Sequence, residues 1–198
     1  MKQEYRRFEE ALRYLAAVLE LEKSPWIGLV VCGGTALAAM KLVQRTTKDV
    51  DIVALMEKGG RLLDPAPLPE ILVKAANETA QALELHENWL NNGPSSGEGG
   101  LYRMGLPEGF AKRLTKVSFG KCLDVFFIGR VDQIHFKLYA SVDRGGYHAD
   151  DLRRLKPSVE ELQTAVAWCF SHDPSEGFRK MTKLFLKDFG YEKLTEKI

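Results

Sequence analysis

Asp49 and Asp51 are the residues of this chain best suited to chemistry, because a single residue separates them in a segment that reads as a strand. Alternate side chains of a strand share a face, so the two carboxylates project together with their Cα atoms about 7 Å apart. Carboxylates held this way repel each other, and a bound cation offsets that cost. Magnesium takes oxygen ligands and is commonly held by one or two carboxylates plus triphosphate oxygens and water. The competing reading of an isolated Asp-x-Asp is the solvated face of an edge strand. Gly33-Gly34-Thr35 lies just upstream. Glycines there let backbone approach a phosphate, and the start of a following helix offers free N–H groups. The plainer alternative is an ordinary strand-to-helix turn with Thr35 as N-cap.

Asp124 is the third acid of interest, since it interrupts the apolar run Cys122, Leu123, Val125, Phe126, Phe127 and Ile128. It suits a metal ligand or a general base, or else an edge position paired with Lys121 or Arg113. Lys137 lies in a helical segment, where the alternative is a snorkelling surface lysine. His86, His135 and His172 lack ligand spacing and read as surface or partly buried residues. Cys32, Cys122 and Cys169 are widely spaced without a CxxC pair and read as free core thiols of a reducing cytoplasm.

The elements that must position these residues follow from hydrophobic periodicity. Tyr5, Phe8, Leu12, Leu15 and Leu19 recur at steps of three and four, which predicts a half-buried first helix. Trp26 to Cys32 is a short apolar run like an interior strand, Gly33-Gly34 breaks it, and Thr35 to about Gln44 returns to helix formers. Asp49 to Met56 alternates as a second strand, and Pro69 to Leu85 reads as a helix. Asn91 to Gly100 is rich in Gly, Ser and Asn and reads as a flexible excursion; it lacks the GK[ST] ending of a P-loop. Arg113 to Phe119 and Lys121 to Ile128 read as a hairpin joined at Gly120. From Asp132 onward the pattern is helical. The expected fold is α+β: a small mixed sheet flanked by helices, with a core over residues 1–130 and a helical part over 131–198 packed on it.

Composition sets the outer bounds. With hydrophobic residues at 45% and charged residues at 28%, the chain has the makeup of a globular protein rather than a disordered one. A formal net charge of +1 excludes a surface saturated with basic residues and leaves only a local patch to meet phosphates. No run approaches the roughly 20 apolar residues of a membrane span, and the charged N-terminal stretch lacks a signal-peptide core, so the expectation is a cytoplasmic protein.

Gly33-Gly34-Thr35-Ala36-Leu37 followed by Arg45-x-Thr47-x-Asp49-x-Asp51 resembles the signature of the nucleotidyltransferase superfamily, a GG[ST] turn followed by a strand bearing DxD. The tight spacing of Arg, Thr and DxD is similar to the AbiEii-type toxin group and its uncharacterised bacterial relatives. A second stretch resembles that group's helix with a K-L-x-A run, a following Arg and a D-L pair: Lys137-Leu138-Tyr139-Ala140, then Arg144, then Asp151-Leu152. The resemblance implies that Gly33, Gly34 and Thr35 hold the triphosphate. It implies also that Asp49 and Asp51 bind Mg2+ or Mn2+, with a third acid, best matched by Asp124, completing the set. Lys137 falls on the lysine taken to meet phosphates, Arg144 and Asp151 on companion positions, and Arg45 beside the triphosphate. The implied activity is transfer of a nucleoside monophosphate from an NTP to a hydroxyl acceptor on RNA or protein, with an antitoxin as a partner in a toxin and antitoxin pair. One departure stands out: toxin members often carry Arg-Asp where this chain has Tyr147-His148. That departure supports a second reading, a catalytically inactive binding or regulatory module on the same fold.

Overall fold

The computed structural model describes residues 2–40 and 49–198, with side-chain environments from Phe8 onward; Arg45 and Thr47 of the sequence motif lie outside the described residues. The chain divides into two compact units, Met1–Gly129 and Arg130–Ile198.

The first unit is built on a mixed sheet. Strand β1 (Ile27–Cys32) is buried along its whole length, as its uninterrupted apolar sequence requires. β2 (Val50–Met56) runs antiparallel along one side of it. On the far side of β2, β3 (Leu62–Leu63) pairs antiparallel with its Met56 end and β4 (Leu90–Asn91) parallel with its Val50 end. The hairpin lies on β1's other side: β5 (Thr115–Ser118) pairs with β6 (Leu123–Phe127), and β6 runs parallel to β1. The order is β3-β2-β1-β6-β5, with β4 beside β2.

Helix α1 (Lys2–Leu21) buries Leu12, Leu15 and Leu19 on one face, as the three-four spacing demands, and packs on α3 (Glu70–Ala82) and α2 (Gly33–Ala39). Each fully buried leucine contributes roughly 1.5–3 kcal/mol. The short α4 (Leu101–Met104) completes the unit.

The segment read from sequence as a flexible excursion is anchored instead. Asn91 belongs to β4, Ser95 is fully buried, and its hydroxyl donates to the Val53 carbonyl at 2.7 Å. The Tyr102 amide donates back to that hydroxyl, and Asn92 Nδ2 donates to the Pro65 carbonyl. The small residues that suggested mobility are the ones that let the chain lie close; a Cβ on Gly100 would stand 2.4 Å from the Ser95 carbonyl oxygen.

The second unit is helical: α5 (Arg130–Arg144), α6 (Tyr147–Leu155), α7 (Val159–His172), α8 (Glu176–Asp188) and α9 (Glu192–Thr195). α5 packs against α6, α7 and α8. Ser158 and Glu161 form a capping box at the start of α7, and Glu161 also receives Arg130, whose guanidinium closes the end of α6 through the Leu155 and Lys156 carbonyls. His135 is buried in α5 with its ring against Trp168, deeper than the sequence suggested. Cys32 and Cys169 are buried and Cys122 half-buried, all three as free thiols; burial pushes the Cys169 thiol well up, so it stays protonated and inert. Among the described residues no helix is long and apolar enough to cross a membrane.

Candidate active site

Cys32 closes β1 directly opposite Asp51 of β2. The register between these strands steps by one residue between Val30 and Val31, leaving Val53 as the extra residue of β2. Cross-strand partners share a face. The step therefore sets Asp51 on the face of Cys32 and Val30, whereas strict alternation from Ala54 would have set it on the other. Bulges of this kind re-aim side chains next to functional sites.

The next residue, Gly33, has φ of +69°, a conformation that glycine alone adopts cheaply, and a Cβ built on it would stand 2.3 Å from Asp51 Oδ2. The turn and the acid are thus fitted to each other: the carboxylate occupies the space that any other side chain at position 33 would fill. Gly33→Ala is expected to cost about 1–2 kcal/mol of stability through its backbone conformation, and to lose Mg2+-dependent NTP binding because the Asp51 carboxylate must swing away. Thermal melts with parallel nucleotide titrations measure both effects.

Thr35 is buried, and its hydroxyl donates to the Asp49 backbone carbonyl at 2.7 Å, tying the start of α2 to the entry of β2. The N-cap role that the plainer alternative gave Thr35 is absent; the residue before α2 is Cys32, with no side-chain cap. Asp49 and Asp51 are both half-buried. Asn91, which sequence reasoning assigned to a loop, pairs with Asp51 across β2 and β4, and its Nδ2 lies 3.4 Å from Asp51 Oδ1. Its own Oδ1 accepts from the Gly93 amide at 2.8 Å. The readable signal was the Asn-Asn-Gly turn that follows a two-residue strand.

These donors fit a hard divalent cation: the set is two carboxylates, all oxygen, with the Asp51 carboxylate lodged in a cradle that a Cβ would fill. The third acid does not join them. Asp124 lies opposite Gly28 on β1, four residues from Cys32, which is about 13 Å along the strand, and two strand spacings of about 4.8 Å separate β6 from β2. The expectation that Asp124 completes the metal set fails on this register. Among the described residues, no three His, Cys, Asp or Glu side chains gather as a metal site.

Asp124 has other partners. It is 5% exposed; Oδ2 accepts from Trp26 Nε1 at 2.9 Å and lies 2.7 Å from Lys116 Nζ. Burial pushes its carboxyl up, but hydrogen bonds from Lys116, Ser118 and Trp26 outweigh that and hold it below the usual carboxylate range. A depressed folded-state value means that the stabilisation is complete above the unfolded value, about 3.9, and is lost as pH falls through the folded one. Asp124→Asn is expected to cost about 1–3 kcal/mol at pH 7. The gap from wild type should narrow by about pH 3 in urea titrations, and nucleotide binding should persist.

In the second unit, Lys137 and Asp151 meet. Lys137 Nζ lies 2.8 Å from Asp151 Oδ2, with side chains 5% and 1% exposed, so Lys137 is no surface lysine. Its Nζ also stands 5.6 Å from the Tyr147 ring centroid, so the residue that replaces an expected charge faces the ammonium with an aromatic ring. Arg144 is exposed at the end of α5, 3.3 Å from the Asp143 carboxylate. Asp150, the acid nearest to the Tyr147-His148 pair in sequence, is exposed and paired with Arg153.

A strand leading through a glycine turn into a helix, with Asp51 on the antiparallel neighbour and Asp49 just before it, is the arrangement that the nucleotidyltransferase resemblance implies. The family comparison agrees: residues 9–152 match the model of the family described as nucleotidyltransferase of unknown function (DUF6036), and the chain belongs to that family. No curated protein and no solved structure matches it.

Proposed function

We propose that the chain is a metal-dependent nucleotidyltransferase that moves a nucleoside monophosphate from an NTP to a hydroxyl acceptor. The acceptor oxygen bonds to the α-phosphorus, the bond from that phosphorus to the β-phosphate oxygen breaks, pyrophosphate leaves and the hydroxyl proton passes to solvent. The observation that carries this reading is the fit of Gly33 to the Asp51 carboxylate. Asp49 and Asp51 hold Mg2+ or Mn2+, which supplies neutralisation of phosphate charge when bound. Gly33 and Gly34 bring backbone close to the triphosphate, Thr35 fixes the turn against Asp49, and Asn91 orients Asp51. By resemblance, Lys137, Arg144 and Asp151 of the second motif, with Arg45, steady phosphates. An RNA or protein acceptor and an antitoxin partner complete the toxin-like version of this reading.

The replacement of an acid by Tyr147-His148 favours a second reading, an inactive module that retains the fold. Isothermal titration of the four NTPs with Mg2+, on wild type and on the Asp49→Ala, Asp51→Ala double variant, tests both. Metal-dependent binding that disappears in the variant is the expected result; a wild type that binds no NTP would leave the interaction module.

A further inference from the structure

The buried acid that the metal set does not use organises a different place in the molecule. Met56, Gly28, Asp124 and Ser118 are successive cross-strand partners over β2, β1, β6 and β5, forming one row on one face of the sheet. Glycine in the interior of a strand weakens it and marks a close approach. Here two groups approach: a Cβ on Gly28 would stand 2.7 Å from the Met56 Cβ and 2.7 Å from the tip of the Trp26 indole, at Cη2. The indole therefore lies across β1 with its N–H bound to Asp124, and the same carboxylate holds the Lys116 ammonium.

Trp26 and Lys116 both line a cleft of about 370 Å³ closed by Met56, Leu114 and Phe126. That volume lies within the usual range of small-molecule sites, about 300–1,000 Å³. The walls are apolar and aromatic, and the polar groups are few and of one net sign. Glu57 on the rim is occupied by both arms of the Arg61 guanidinium, at 2.9 and 2.8 Å. Lys58 is exposed on the rim, and Lys116, itself exposed, meets Asp124 with an ammonium that carries three N–H donors. Two lysines against one buried carboxylate and one already paired glutamate leave the cleft cationic.

We propose that this cleft is a second small-molecule site, at the opposite end of β1 from Asp51, which takes a flat aromatic ring bearing one anionic group. The ring stacks on Trp26 between Met56, Leu114 and Phe126, and its anion meets Lys116 and Lys58. Gly28 and Asp124 build the floor: one makes room for the indole, the other fixes the indole and the ammonium. The site does not rest on the proposed transfer reaction.

The test is titration of the full chain with 2-naphthoate by calorimetry, against its neutral alcohol 2-naphthalenemethanol. Saturable one-to-one binding is expected, about tenfold or more tighter for the acid than for the alcohol. Ala111→Trp, which fills the mouth from an exposed position, and Lys58→Glu, which reverses the exposed charge, should each weaken it at least tenfold. The Asp49→Ala, Asp51→Ala variant should bind as wild type does. Competition by the four nucleoside monophosphates decides whether the natural ring is a nucleobase or a plain aromatic acid. No saturation in wild type, equal binding of the alcohol, undiminished binding in both cleft variants, or loss of binding in the double aspartate variant would each overturn the proposal.

Discussion

Asp51→Asn is expected to lower nucleotidyl transfer by a factor of about a thousand or more, with the folded state intact. The substitution keeps the shape of the side chain and removes its charge. A bound divalent cation stabilises phosphate charge by several kcal/mol, and each 1.36 kcal/mol is tenfold in rate, so loss of one of the two proposed carboxylate ligands is expected to bring a change of this order. Stability should move the other way. Asp51 is half-buried in β2 with Asp49 half-buried just before the strand, and removing one of two neighbouring negative charges is not expected to cost stability, so the melting temperature should hold or rise. Transfer of labelled monophosphate from each NTP into RNA and protein fractions, with a thermal melt of the same samples, reads both quantities. Undiminished transfer by Asp51→Asn would remove the metal site from the scheme, and a lower melting point would make Asp51 a structural residue.

The strands and helices were legible because they follow from local periodicity. The apolar run before Gly33 is β1, the three-four spacing from Phe8 to Leu19 is α1, and the break at Gly120 is the β5–β6 turn. The glycine turn was legible for a related reason, since two glycines where a strand gives way to a helix state a backbone requirement directly. What failed depends on long-range register. Period two tells which face Asp124 takes and not how far along its neighbours it sits; β6 pairs with a strand about a hundred residues away in sequence, and the pairing that puts Asp124 at Gly28 is decided by packing. The step at Val53 was hidden likewise, because an extra residue in a continuous apolar run leaves no mark on composition. β3 and β4, two residues each, are too short for any periodicity. Asn91 and Ser95 were missed for the opposite reason: polar residues among glycines look solvated, although one reaches Asp51 and the other is buried under β2.

β1 thus carries different demands at its two ends, each marked by a glycine whose absent side chain another group uses. At the Cys32 end the space beside Gly33 belongs to the Asp51 carboxylate; at the other end the space over Gly28 is shared by Met56 and the Trp26 indole. An acid accompanies each glycine, yet their partners differ. Asp124 is saturated by an ammonium, an indole and a hydroxyl, which is the condition for burying a carboxylate without a metal. Asp49 and Asp51, both half-buried where β2 begins, are instead the pair proposed to hold a cation.

Lys137→Met is expected to destabilise the protein by about 3–5 kcal/mol, because it leaves the Asp151 carboxylate buried without the lysine's counter-charge. Both side chains are almost wholly withdrawn from water and 2.8 Å apart, so neither charge has solvent to fall back on. Asp151→Asn should cost a similar amount by taking the counter-charge from the ammonium, which keeps the Tyr147 ring beside it. The double variant Lys137→Met, Asp151→Asn removes both charges at once and should recover most of the loss, giving a coupling energy of about 2 kcal/mol or more in urea denaturation of all four proteins. Single variants within about 1 kcal/mol of wild type would show that the buried pair is not holding α5 to α6. The same double variant separates structure from chemistry. If the lysine only ties two helices together, restored stability brings restored nucleotide binding. If it steadies phosphates, stability returns and binding does not, and a second double variant that keeps a cation at this position, Lys137→Arg with Asp151→Asn, should retain part of the affinity, because a guanidinium meets phosphate oxygens with two donors at once.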